Sequence, residues 1–220
     1  ETNRAIGALQ NLVPGRNPEH LLKGVGPSGQ IPKLSMGSRQ VPRVSCNPGG
    51  RLLAKADNVK MDGIVSDTLA IAFRLQIDTG MVGQISRIVL MGPGGAKDLT
   101  TLRLSFTGTE LNLKCERGKQ QSGVNLPWIA GKEGIVMVNW DGKKRTHSLT
   151  VRQGDSPLRE SPPAKTLAVG QQTLSEYELG FLNIPNDLAQ QRPVHFGDIV
   201  IGRGMLAQPG RDALFSALMN

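Results

Sequence analysis

The sequence predicts an all-β fold: an antiparallel β-sandwich or jelly roll closed by a short C-terminal helix. Three observations carry this. Leu69, Ile71, Phe73, Leu75 and Ile77 alternate with Thr68, Ala70, Ala72, Arg74, Gln76 and Asp78, which is the period of two of a strand with one buried face. Two hairpin signals, Thr107-Gly108-Thr109 and Asp141-Gly142-Lys143-Lys144, each separate a pair of alternating apolar runs. Strand patterns nowhere alternate with helical ones, which excludes a parallel α/β sheet.

Taken in order, residues 1 to 60 hold 8 of the 27 Gly and 6 of the 14 Pro, in runs such as Val13-Pro14-Gly15-Arg16-Asn17-Pro18. This is turn chemistry and predicts an extended segment with short edge strands laid over a body. The division expected is therefore a Gly/Pro-rich basic wrap or arm over residues 1–50 and a sandwich domain over residues 51–220. After the strand from Thr68 come Arg87 to Met91, then Leu102, Leu104 and Phe106, then Leu111, Leu113 and Cys115 across the first hairpin. Gly134 to Trp140 and Arg145 to Val151 form the second hairpin, with Trp140 sharing the packed parity of Val136 and Val138. Lys165 to Val169 and Phe196 to Ile201 add two strands, and Ser161-Pro162-Pro163 marks a turn. Pro209 in a first turn, followed by Leu214, Phe215 and Leu218 on one side, predicts the closing helix.

Composition narrows the function classes. The 8 aromatics (5 Phe, 2 Trp, 1 Tyr) leave the core to Leu, Ile and Val and disfavour a wide aromatic binding platform. Two cysteines, Cys46 and Cys115, are too few for a disulfide framework, and Cys115 occupies an apolar slot, so both read as free thiols. No run approaches the ~20 apolar residues of a membrane-spanning helix, and the chain reads as soluble. The net charge of +8 is uneven: residues 1 to 60 carry 9 Lys/Arg against 3 Asp/Glu. A basic segment of this kind suits an acidic protein neighbour, an acidic polysaccharide or nucleic acid. Nucleic acid is the least favoured, because no aromatic interleaves the dispersed cations.

Three stretches resemble the concanavalin A-like lectin/glucanase superfamily, particularly its laminin G-like jelly rolls. Thr68-Leu69-Ala70-Ile71-Ala72-Phe73-Arg74-Leu75 looks like the long early strand, Ile135 to Gly142 through Ser148 to Val151 like the central hairpin, and Phe196 to Ile201 with Gly204-Met205-Leu206 like the closing strand. The resemblance covers residues 50 to 220 and implies a lectin-like domain. The opening, Asn11-Leu12-Val13-Pro14-Gly15-Arg16-Asn17-Pro18, is similar to the start of small bacteriophage virion proteins with this fold.

Glycanases of the concanavalin A-like superfamily place an acid and a nucleophile on one strand, but the nearest carboxylate pair here, Glu176 and Glu178 around Tyr177, falls in an expected loop. No Gly-x-Ser-x-Gly elbow supports a serine hydrolase, and His147 and His195 read as structural. Catalytic residues are therefore expected to be none. The resemblance implies loop-bound calcium as an alternative, for which Asp57, Asp62, Asp67, Asp141 and Asp187 are the candidates; none stands in a dense ligand run, so the expectation is no metal and no cofactor. Trp128 and Tyr177, as loop-placed rings, and Asn125 beside Trp128 are the candidate glycan or partner contacts. Arg16, Lys23, Lys33 and Arg39 are the candidate basic assembly contacts. The function expected is a non-enzymatic binding or structural module of a bacteriophage virion, assembled in the host cytoplasm with other virion subunits and contacting host polysaccharide. The alternatives are a divergent glycan-active hydrolase or lyase and, third, nucleic-acid binding through the basic segment.

Overall fold

In the computed structural model, residues 8–9, 22–25, 32–36, 42–54, 68–91, 99–165, 176–203 and 206–219 are described. The first strands are β1 (Ala8–Leu9), β2 (Leu22–Val25), β3 (Lys33–Met36), β4 (Pro42–Cys46) and β5 (Arg51–Ala54). The long central strands are β6 (Thr68–Ile77), β7 (Gly83–Met91), β8 (Leu99–Phe106), β9 (Glu110–Arg117), β10 (Gln120–Pro127), β11 (Gly134–Asp141) and β12 (Thr146–Gln153). Short β13 (Arg159–Glu160) and β14 (Ala164–Lys165) precede β15 (Glu176–Pro185), β16 (Val194–Arg203) and the helix α1 (Gln208–Met219).

These strands form two sheets in which every described pairing is antiparallel. The first sheet has the order β13-β12-β11-β6-β16-β4-β3, with β14 also on β12; the second has the order β1-β2-β5-β15-β7-β8-β9-β10. The predicted alternation decides which residues meet between them. Leu69, Ile71, Phe73, Leu75 and Ile77 all face the second sheet at 2% exposure or less. Phe181 of the second sheet closes on Phe73 and Phe196 of the first, with ring centroids 5.0 and 5.1 Å apart. Each ring removed from such a core costs about 3–5 kcal/mol.

The outer face of the first sheet is also covered. α1 lays Phe215 and Leu218 on Ala70, Ala72, Ile135 and Met137, where the small alanines leave room for the helix. Arg74 has the parity opposite to Phe73, as the alternation requires, yet it is only 6% exposed. Asp198 and Glu133 hold its guanidinium, and Gly197 lets it lie flat: a Cβ there would stand 2.8 Å from Arg74 Cβ.

Several expectations need correction. Tyr177, Glu176 and Glu178 are not in a loop but on β15, between β5 and β7. β10 was not legible as a strand, because Gln120 to Pro127 carries no long apolar alternation. The wrap over residues 1–50 enters the sandwich. β4 lies between β3 and β16, and its Val44 and Cys46 belong to the core. Pro42, at the start of β4, falls where a strand tolerates the missing N–H. Of the predicted strand Lys165 to Val169, Lys165 is in β14 and the rest lies outside the described residues.

Candidate functional site

The outer face of the second sheet is the broad face that α1 does not cover. Alternation along β7, β8 and β9 turns Ile88, Leu102, Leu104, Leu111 and Leu113 inward, and therefore turns Arg87, Arg103 and Lys114 outward. Strand register then lines these up. Leu53, Gly180, Arg87, Arg103, Lys114 and Gly123 are successive partners across β5, β15, β7, β8, β9 and β10. Three cations thus stand directly opposite one another on neighbouring strands, an arrangement that destabilises a sheet. One described carboxylate answers them: Glu116 pairs with Arg103 at 3.0 Å.

A second row runs beside the first. Gln84, Ser105, Asn112 and Asn125 are successive partners across β7 to β10 and offer amides and a hydroxyl. Asn125 donates to Glu110 at 2.8 Å. Where the two rows meet β15, Arg51, Leu53, Gln84, Arg87, Arg103 and Leu182 surround a shallow dip of about 120 Å³. Gly180 forms its floor, since a Cβ there would stand 3.0 Å from Leu53 and 3.2 Å from Leu182. On the far side of the cationic row lie Glu116, Thr101 and Val89, with Glu178 next in register.

A different polar cluster occupies the first sheet. His195 is 8% exposed; its Nδ1 is 2.7 Å from Ser45 Oγ, its Nε2 is 3.1 Å from Asp78 Oδ1, and Ser45 Oγ is 2.6 Å from Ser35 Oγ. Burial lowers the His195 pKa, the Arg43 guanidinium adds to this, and Asp78 opposes both. The Ser-His-Asp order matches that of a nucleophile, a base and its orienting group. However, β4 is paired on both edges, so its backbone N–H groups are spent in ladders and none converges to hold an oxyanion. The cluster ties β3, β4, β16 and the end of β6 together.

The sequence candidates are scattered. Trp128 is 2% exposed and belongs to the core, so it offers no sugar-facing ring. Gln153 holds the following loop over it, accepting from Ile129 N at 2.9 Å and donating to the carbonyls of Ile129 and Lys132 at 3.0 Å. Asn125 is exposed and sits at the end of the amide row. Tyr177 lies on β15, four strands from β10; its side chain is outside the described residues. Of the basic contacts, Arg16 and Arg39 lie outside the described residues, Lys33 is half-buried on β3 in the first sheet, and Lys23 is on β2 in the second. Lys23 pairs with Leu53 and so falls on the cationic row. Asp57, Asp62 and Asp67 lie outside the described residues; Asp141 accepts from Lys144 N and Asp187 from Ala189 N in turns. Arg87, Arg103 and Lys114, absent from the sequence candidates, form the array.

No protein-family model matches the chain, and no curated protein does. Solved structures do match it. A botulinum neurotoxin type C structure, described as dependent for cell entry on two ganglioside molecules, gives a TM-score of 0.56 at 11% identity over 97% of this chain and 51% of that one. The fold is a concanavalin A-like jelly roll. Lectin II from Ulex europaeus gives a TM-score of 0.53 at 10% identity over 92% of this chain and 100% of that one. Mouse laminin alpha1 chain domains LG4-5 give a TM-score of 0.48 at 16% identity over 80% and 43%. The chain thus spans about half the length of the neurotoxin and laminin structures. Identities this low make the likeness one of fold. The phage resemblance rests on residues 11–18, which lie outside the described residues.

Proposed function

We propose that this protein is a glycan-binding module that does no glycosidic chemistry, and that it serves as a structural component of a bacteriophage particle. The observation that carries the binding role is the outer face of the second sheet. It is left open by α1 and presents parallel rows of cations and of amide and hydroxyl groups to solvent. Such groups fix the orientation of a hydroxyl-rich ligand through charge-assisted and neutral hydrogen bonds. A structure of lectin UEA-II with a TM-score of 0.53 and 10% identity is described as complexed with galactose, which makes glycan a ligand class this fold accommodates. The particle role is supported by the resemblance of residues 11–18 to phage virion proteins and by a basic N-terminal segment suited to an acidic neighbouring subunit.

One observation favours a second reading. Glu176 and Glu178 occupy alternate positions of one strand, as the carboxylates of a retaining glycanase do, which keeps a divergent hydrolase or lyase as the alternative. A glycan array with a polysaccharide cleavage assay beside it separates the two. Binding without turnover, unchanged in Glu176→Gln and Glu178→Gln, is the expected result. Turnover that falls by about 10²-fold in either variant overturns it.

A further inference from the structure

We infer that the ligand of this face is a linear acidic polysaccharide running across the strands, with its acidic groups on Arg87, Arg103 and Lys114 and its hydroxyls against Gln84, Ser105 and Asn112; this rests on the glycan-binding reading above. The first ground is a cost without a structural return. Arg87 faces Arg103 and Arg103 faces Lys114 in direct register, on a face where Ser or Thr would serve a strand as well. Arg87 and Lys114 are exposed, and Glu116 engages Arg103 alone. A ligand that brings its own anions removes the repulsion.

The geometry selects the shape of that ligand. Neighbouring strands stand about 4.8 Å apart, so the cations repeat along a line perpendicular to the strands. That line suits an extended chain with closely repeated anionic groups better than a single small anion. The flanking rows set its lean. Glu116 on one side repels it, whereas the amides and hydroxyl on the other accept and donate to sugar hydroxyls. Single-stranded nucleic acid would need rings for its bases. All five Phe and both Trp are at most 2% exposed, which leaves the face no such platform among the described side chains.

The full chain is measured on immobilised dextran sulfate, polygalacturonate, neutral dextran and poly(dT). The variants are Arg87→Ser/Arg103→Ser/Lys114→Ser and a control of equal charge, Lys132→Ser/Lys143→Ser/Lys144→Ser, which lies in exposed turns outside the second sheet. The expected result is binding to an acidic polysaccharide and not to neutral dextran, weakened about tenfold or more by the row variant, the scale of several surface ion pairs together. The control should lose less than about threefold by the same reasoning. The row variant should melt no lower than the wild type, because like charges have been removed. Dextran sulfate alone among the acidic polymers assigns sulfate, and polygalacturonate alone assigns uronate. An equal loss in the control overturns the inference in favour of net charge, and tight poly(dT) binding lost in the row variant overturns it in favour of nucleic acid. Binding of neutral array glycans with none to acidic polymers overturns it while the glycan reading stands; no binding to any glycan overturns both.

Discussion

Replacing Gln153 with Leu tests the account of the loop that follows Trp128. The side chain is 3% exposed and makes three hydrogen bonds to backbone groups of Ile129 and Lys132. At about 1–3 kcal/mol for each buried group left without a partner, their removal costs about 3–9 kcal/mol if the orphaned groups stay dry. Ile129 is 57% exposed, so water reaches part of the loop once it lifts, and the expected loss settles at about 2–3 kcal/mol. For a chain of this size that is about 5–10 °C in melting temperature, followed by circular dichroism with a urea titration beside it. Gln153→Glu should be worse at neutral pH, because a carboxylate would face the two carbonyls that the amide now donates to. A Leu variant within ~0.5 kcal/mol of the wild type, the range of an ordinary surface change, would refute the clamp.

Other consequences are tested in the same way. Burial lowers the His147 pKa to about 4, below an unfolded value of about 6.5. The unfolded chain therefore binds the extra proton between these values, so stability is full above about pH 6.5 and is lost progressively toward pH 4. The urea midpoint should fall across that window, less steeply in His147→Gln; a midpoint that rises on acidification contradicts this. Cys46, its thiol pushed up to about 12 by burial, and Cys115 form no disulfide and are buried. A thiol reagent should find two groups only after unfolding, and rapid native labelling would show the core to be open. Truncation of residues 1–48 removes β4 with Val44 and Cys46 and bares the edge of β16, so the remainder should lose cooperative melting. A folded remainder would mean that the segment is an arm after all.

The fold was legible where one face of a strand is apolar. β6, the two hairpins and α1 follow from alternation, the Thr-Gly-Thr and Asp-Gly turns, and Pro209. β10 and β15 were not, because an edge strand needs little apolar alternation and the Glu-Tyr-Glu opening of β15 reads as solvated loop. The N-terminal strands are two to five residues long, too short for alternation to show, and Gly24 and Pro42 interrupt two of them. Their pairing is supplied by β5 and β16, distant in sequence, which no local pattern reports. Two of the three cations were within reach: the Thr107-Gly108-Thr109 turn sets Arg103 opposite Lys114 once the hairpin is drawn. Arg87 joins only through the β7–β8 register, and Gly180 and Leu53 only through the strand order of the whole sheet. Trp128 was misplaced because a ring after Leu126-Pro127 gives no sign of which way it turns.

Mapping amide chemical shifts of the full chain during titration with a sulfated dextran oligosaccharide shows whether the outer face of the second sheet is the glycan contact surface. The shifts should concentrate at Gln84, Arg87, Arg103, Lys114 and Asn125, while Met137 beneath the helix and Phe215 on its inner side stay fixed. Shifts confined to the helix-covered face or to the Ser45–His195 cluster, with the cationic row unmoved, would contradict it.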